Sequence, residues 1–309
     1  PFSFGIDEKM RKIFYSFLIS CFIFTIFSCG KTTEQNTNDA LGTGGDSGTG
    51  CDNTKAFIVG NLVPEKGCHP NCEKNKAVIW NLCEGQKLLG DSFGVVDATG
   101  HNGSIYIADD DFYWIVRAGN KIEKHPLKYH SGYKESEVTG IAVNSIGDVY
   151  VAGMVRKNSK EYTAYWKNGE LVKAFRENAD WYSEKHVAAD SKGKVYIPGW
   201  RMKTHEVTYS ALWINGTRKN LSTSHDGEAT DVVIGSETAS GSNVWISGAH
   251  GPYTLGGNLA AYWRRNPNGQ TSQTKVTKVS TYNLAKNHVN SSRASSIFVS
   301  GSTVYMAGA

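Results

Sequence analysis

One phrase returns six times along this chain, and that repetition limits the fold more than any other feature. It is a β-rich run that ends near Ala-Gly. It reads Ala56-Phe57-Ile58-Val59-Gly60, Ile105-Tyr106-Ile107-Ala108-Asp109, Val149-Tyr150-Val151-Ala152-Gly153, Val195-Tyr196-Ile197-Pro198-Gly199, Val244-Trp245-Ile246-Ser247-Gly248 and Val304-Tyr305-Met306-Ala307-Gly308. A second phrase, built on Trp, follows the first five copies: Ala77-Val78-Ile79-Trp80-Asn81, Phe112-Tyr113-Trp114-Ile115, Ala164-Tyr165-Trp166-Lys167-Asn168-Gly169, Ala211-Leu212-Trp213-Ile214-Asn215-Gly216 and Ala261-Tyr262-Trp263-Arg264-Arg265. A third phrase precedes most copies of the first. It is clearest as Ile141-Ala142-Val143-Asn144-Ser145-Ile146-Gly147-Asp148, with Val187-Ala188-Ala189-Asp190-Ser191-Lys192-Gly193-Lys194 as its relative. Counted from Phe57, Ile105, Val149, Val195, Val244 and Val304, the first phrases lie 48, 44, 46, 49 and 60 residues apart.

Val, Ile, Tyr and Trp suit extended backbone, Ser-x-Gly-x suits a turn between the third and first phrases, and Asn-Gly suits a tight type I′ turn after the second. Each unit therefore reads as strands A (third phrase), B (first phrase), C (second phrase) and D (the Leu-containing run after Asn-Gly). A period in the forties with several short strands per unit predicts an all-β chain, a β-propeller of four-stranded blades over residues 51–309. Five blades are nearly complete and a sixth is begun; because the sequence stops at Ala309, just after a B strand, we read it as truncated at the C-terminus. The repeated Trp, flanked by Ala and Tyr, is expected to pack between adjacent blades as a core aromatic. The joint pattern resembles a widespread family of bacterial β-propeller repeat proteins, often lipoproteins, whose repeats read Ile-Ala-Val-Asp-x-x-Gly-x-Val-Tyr-Val-Ala-Gly followed by Ala-Tyr-Trp-Lys-Asn-Gly. The resemblance covers about residues 52–309. It implies the fold and is silent on function, because propellers host many activities.

Ahead of the repeats, Met10-Arg11-Lys12 opens a short positive region and an apolar run extends from Ile13 to Phe27. That run is shorter than the roughly 20 residues a membrane-spanning helix needs. It ends in Ile26-Phe27-Ser28-Cys29-Gly30, where a small residue immediately before a Cys resembles a lipobox. The resemblance implies cleavage after Ser28 and lipid on Cys29; an ordinary secretory signal with an incidental Cys, or a membrane anchor, is the rival reading. Residues 1–9 hold acidic Asp7 and Glu8 where a signal would be basic, so they are read as upstream of the true start. Residues 10–28 are the signal peptide, and the Thr-, Asn-, Gly- and Ser-rich residues 29–50 a flexible tether. This places the protein in the cell envelope, lipid-anchored to the outer membrane and expected as a monomer.

Beyond Cys21 and Cys29, the cysteines are Cys51, Cys68, Cys72 and Cys83, all in the first blade. Export makes disulfides the expectation. Strands B and C are antiparallel neighbours, which brings Cys51 beside Cys83 and leaves Cys68–Cys72 as a small ring. The rival is a metal site, because Cys68-His69-Pro70-Asn71-Cys72 offers soft ligands, although four ligands at zinc spacing are not evident. Asp109-Asp110-Asp111 has the look of a calcium handle but lacks an Asp-x-Asp-x-Asp-Gly loop, and a solvated B–C turn is the simpler reading. No metal or cofactor is expected.

The net charge of +4 is spread without a dense basic block, which sets nucleic-acid binding aside. No His-Glu-x-x-His, Gly-x-Ser-x-Gly or phosphate-gripping loop is present. Propeller enzymes assemble their sites from distant loops, so the enzyme question stays open with non-enzyme preferred. The B–C and D–A connections, spanning 61–76, 128–137, 154–162, 174–185, 200–209, 249–259 and 282–293, are expected to be long and to share one face. They carry His130, Tyr133, Trp181, Tyr182, Trp200, Arg201, His205, His250, Tyr253 and His288. Loop Trp, Tyr and Arg suit recognition of a protein or glycan partner, and equally suit filling gaps between loops. The expected function is a lipid-anchored binding or scaffold module. The alternative is an exported lyase or hydrolase with its site at the ring centre on the long-loop face.

Overall fold

The computed structural model describes residues 57–62, 75–81, 85–92, 94–117, 121–130, 132–175, 186–204, 207–222, 226–251, 259–275, 293–300 and 303–308. Among the described residues, six antiparallel sheets follow one another in sequence. Sheet one holds β1 (Phe57–Leu62), β2 (Lys76–Asn81) and β3 (Gly85–Asp91). Sheet two holds β4 (Asp97–His101), β5 (Ser104–Asp109), β6 (Phe112–Val116) and β7 (Ile122–Pro126). Sheet three holds β8 (Lys134–Val143), β9 (Val149–Lys157), β10 (Lys160–Lys167) and β11 (Glu170–Phe175). Sheet four holds β12 (Ala188–Ala189), β13 (Val195–Thr204), β14 (Val207–Ile214) and β15 (Thr217–Asn220). Sheet five holds β16 (Asp226–Thr238), β17 (Gly241–Gly251), β18 (Leu259–Arg265) and β19 (Thr271–Lys275), and sheet six β20 (Ala294–Ser300) and β21 (Thr303–Gly308). Every strand pairs with its neighbour in sequence, so sheets two to five are plain four-stranded meanders in A–B–C–D order.

The turn chemistry follows the repeat. Asn144 Oδ1 accepts the Asp148 N–H at 2.9 Å, and Asp190 Oδ1 accepts the Lys194 N–H at 2.8 Å, closing the A–B turns of sheets three and four. Asn168-Gly169 and Asn215-Gly216 carry positive φ at both positions (51° and 85°; 50° and 75°), the type I′ geometry that follows strand twist. Both Asn side chains also serve the neighbouring strand: Asn168 Oδ1 accepts the Val149 N–H and Asn215 Oδ1 the Val195 N–H, each at 2.8 Å.

The strand C tryptophans join consecutive sheets. Trp114 packs with Val59 and Ile79 of sheet one, and Trp166 with Tyr106 and Tyr113 of sheet two. Trp213 packs with Tyr150 and Tyr165 of sheet three, and Trp263 with Leu212 and Tyr196 of sheet four. The small residue two positions before most of these Trp rings, Ala164, Ala211 and Ala261, is fully buried, which lets the sheets approach. Sheets thus stack face to face in chain order with their A strands on one common side, and this is a propeller arrangement.

The Gly that closes the first phrase has a mechanical reason. Strand A bulges at Thr139, Thr230 and Ser295, where its register against strand B shifts. The bulged backbone leans onto the Gly opposite: a Cβ at Gly153 would stand 2.4 Å from the Glu137 carbonyl oxygen, and one at Gly248 2.0 Å from that of Glu228. Gly308 repeats the contact against Arg293 at 1.8 Å. Gly248→Ala should therefore cost about 1–3 kcal/mol of stability, the range for overpacking. A shift in urea midpoint checks this, with Gly147→Ala, where nothing lies within 4 Å of the added carbon, reporting the cost of positive φ alone.

The structure revises the expected loops. The segment 154–162 is mostly strand, with a turn at Asn158-Ser159, and 200–209 is likewise β13 and β14 around a short connection. Long side chains opposite one another, such as Arg156 and Glu161 joined at 2.9 Å, sustain the pairing beyond the sheet body. These B–C connections are raised hairpins, not irregular loops.

Candidate functional site

Aligning the repeats by strand pairing isolates one position on strand A, which in sheets three, five and six is the residue that follows the bulge. It is Asp97 opposite Ala108, Gly140 opposite Ala152, Asp231 opposite Ser247 and Ser296 opposite Ala307. In sheet four the same offset, two residues before Ala188, is His186. Because A strands lie innermost, these five residues of five different sheets are brought toward one axis.

The two aspartates act first as latches. Asp97 Oδ1 accepts the N–H of Ala98 at 2.8 Å, and Oδ2 accepts the N–H of Ile141, in the next sheet, at 2.9 Å. Asp231 repeats this: Oδ1 accepts the Val232 N–H at 2.7 Å, and Oδ2 accepts the Ile297 N–H and the Ser296 hydroxyl, both at 2.9 Å. The A strand of the next sheet is an edge strand, so its outward N–H has no ladder partner, and the carboxylate takes it up. In sheet three the position is Gly140, so no side chain occupies that step of the ring. His186 Nδ1 lies 3.7 Å from Asp97 Oδ2, two sheets back, and 3.5 Å from Asp231 Oδ1, one sheet forward. The carboxylates are buried, with 6% and 7% of their side-chain surface exposed, while the imidazole is 24% exposed. Burial pushes the Asp97 carboxyl up to about 6; His186 and the Ile141 N–H oppose this and Asp231 adds to it.

Farther along strand A, toward the end where these strands begin, Arg293 Nε pairs with Glu228 Oε1 at 2.7 Å between sheets six and five. At the same end of sheet two, Asp109 is fully buried, and its carboxylate accepts the Ser92 hydroxyl and the Asp110 N–H. Asp110 and Asp111 form the β5–β6 turn, and Asp111 Oδ1 accepts the Tyr129 hydroxyl at 2.8 Å. Burial pushes Asp110 up to about 6, reinforced by the charges of Asp109, Asp111 and Glu137. Among the described residues no group of three or more His, Cys, Asp or Glu is placed to hold a metal ion. None of their helices is long and apolar enough to cross a membrane.

The residues expected at a recognition face are dispersed. His130 is exposed, and Tyr133 packs edge-on against Tyr162 at 5.5 Å with Lys157 Nζ 4.9 Å from its ring centre. Trp200 and Arg201 lie in β13 opposite Ser210 and Tyr209, half-buried. His250 is not on a loop: it lies in β17, only 4% exposed, edge-on to Trp263 at 6.5 Å, because β17 runs on to Gly251. Trp181, Tyr182, His205, Tyr253 and His288 lie outside the described residues, as do Cys29, Cys51, Cys68, Cys72 and Cys83. Sequence reasoning passed over Asp97, His186 and Asp231 because each stands alone in its own repeat. The signal lay in their shared offset from the first phrase, opposite the fourth residue of each Ile-Tyr-Ile-Ala-type run.

No protein-family model matches the chain. No curated protein matches it either. Among solved structures it is similar to a catalytically inactive variant of virginiamycin B lyase from Staphylococcus aureus with quinupristin, at 10% identity and a TM-score of 0.35, over 82% of this chain and 96% of that one. A streptogramin B lyase structure aligns at 10% identity and a TM-score of 0.31, over 72% of this chain and 88% of that one. A protein of unknown function from Dyadobacter fermentans aligns at 11% identity and a TM-score of 0.35, over 59% and 67% of the two chains. Likenesses this distant transfer neither an activity nor a residue role.

Proposed function

We propose that this protein is a lipid-anchored β-propeller of the cell envelope, held through Cys29, that binds a protein or glycan partner at the end of the sheets where the A strands begin. The supporting observation is the contrast between the two ends. At one end the connections are tight turns such as Asn102-Gly103, Asn168-Gly169 and Asn215-Gly216, with little reach beyond the scaffold. The other end carries the raised hairpins of sheets three and four and the Glu228–Arg293 pair. A rigid scaffold with chemically varied groups at one end suits recognition.

A second reading, an exported enzyme working at the ring centre, draws on the imidazole held between two buried carboxylates. A histidine oriented through Nδ1 by a carboxylate leaves Nε2 to exchange protons with a ligand.

Mature protein on a glycan array, together with cross-linking in intact envelopes, tests the first reading. The combined Trp181→Ala, Tyr182→Ala, Trp200→Ala and Tyr253→Ala variant should lose binding by well over tenfold. Burying one such ring is worth about 1.5–3 kcal/mol, and about 1.4 kcal/mol is a factor of ten. Lys192→Ala, at the opposite end, should leave binding unchanged, and Cys29→Ala should release the protein from the membrane fraction. Normal binding by the fourfold variant, combined with loss in Lys192→Ala, overturns the reading.

A further inference from the structure

We propose that Asp97, His186 and Asp231 form a pH-operated clasp across the ring: in mildly acidic surroundings the imidazolium ties the first strands of sheets two and five to sheet four, and its deprotonation releases them. The inference concerns the inner strands and is independent of what the protein binds. Its basis is placement. Three titratable side chains from three sheets meet at one repeat position, and His186 reaches Asp97 across the step where Gly140 has no side chain. Both carboxylates already accept backbone N–H bonds within their own neighbourhood, so the imidazole is the one member not committed to a latch. Its Nδ1 stands 3.5 and 3.7 Å from the two carboxylates, contacts that depend on charge more than on a formed hydrogen bond.

The groups facing the imidazole among the described residues are Asp97 from β4 and Asp231 from β16. At this ring position β8 offers Gly140 and β20 offers Ser296, neither charged, and the nearest further charges on β16 and ahead of β20, Glu228 and Arg293, are paired with each other. An isolated imidazole gains its proton near pH 6.5. With that proton, one positive charge sits between two buried negative ones. Without it, two carboxylates face each other in a poorly solvated space. The Asp97 carboxyl, pushed up to about 6 by burial, takes up a proton itself below that pH and then no longer carries the charge that faces the imidazolium. Whether the proton resides on His186 or Asp97, the folded cluster holds more proton than the unfolded chain at mildly acidic pH. The stability it contributes is present there and is lost as pH rises through about 6. Below the ordinary carboxylate range both aspartates are neutral and the clasp has no charge to hold.

The test is urea unfolding of the mature protein at pH 5.5 and pH 8.0, alongside His186→Gln, with amide exchange read at Ile141, Val232 and Ile297. The wild-type unfolding constant should rise several-fold more than that of His186→Gln between the two pH values, because only the wild type carries the imidazole that faces the two carboxylates. Protection of the three amides, taken relative to the intrinsic base-catalysed rate at each pH, should fall over the same interval in wild type only. A merely structural role for His186 would shift both pH values equally and leave the slope unchanged, which overturns the proposal. Should His186→Gln fail to fold, the imidazole proton resonances of the wild type decide: a pKa of His186 at or below that of a free histidine overturns the clasp, and a raised one supports it.

Discussion

Alanine in place of Trp166 should lower stability by about 3–5 kcal/mol, the range for deleting a buried Trp from a packed core. Trp166 is fully buried between sheets two and three, meets Tyr129 edge-on at 6.1 Å, and donates its indole N–H to the Lys128 carbonyl at 3.1 Å. The loss therefore has a packing part and a polar part, and phenylalanine separates them. Trp166→Phe removes the donor to the Lys128 carbonyl, which costs about 0.5–1.5 kcal/mol, the net worth of one hydrogen bond. Trp263, equally buried one interface pair further on, has no hydrogen-bond partner for its indole N–H among the described residues. Trp263→Phe should accordingly cost less than Trp166→Phe by about 1 kcal/mol. Urea midpoints of the three single variants check the ranking, and equal costs for the two phenylalanine variants contradict it.

Asp231→Ala should be nearly as damaging, at about 3–5 kcal/mol. The carboxylate accepts Val232 N–H, Ile297 N–H and the Ser296 hydroxyl in a buried setting, so its removal leaves two backbone donors without their acceptor. The damage should be directional. Amide exchange ought to accelerate first at Ile297, in sheet six, while amides of sheet three, such as Val151, remain protected. Asp97→Ala should do the reverse, exposing Ile141 while sparing Ile297. Uniform loss of protection in both variants would show that the latches do not act locally.

The fold was readable because its determinants are local and repeated. Asn168-Gly169 and Asn215-Gly216 state their turn type in two letters, and the Ala-x-Trp spacing states which side of strand C faces a neighbour. The raised hairpins were not readable, because 154–162 and 200–209 carry polar and charged residues that serve a solvated strand as well as a loop. His250 misled for a related reason: Gly251 and Pro252 after it signal a loop, yet strand pairing with Leu259 carries β17 past the expected end. The axial cluster needed a different operation. Asp97, His186 and Asp231 are far apart in sequence and unlike in type, and only the register of strand A against strand B shows them to be one position repeated.

The strand C Trp of sheets two to five packs backward, onto the sheet that precedes it. Each of these units thus carries both a key and a lock, and these four junctions are made of the same two surfaces. Copies of one unit are then interchangeable parts, and the number in a ring can change by duplicating a single coding segment, with no new interface to invent. The axial position is the exception to that interchangeability. A duplicated unit would bring its own Asp, Gly, His or Ser to the centre, so every change of copy number also rewrites the charge at the heart of the ring.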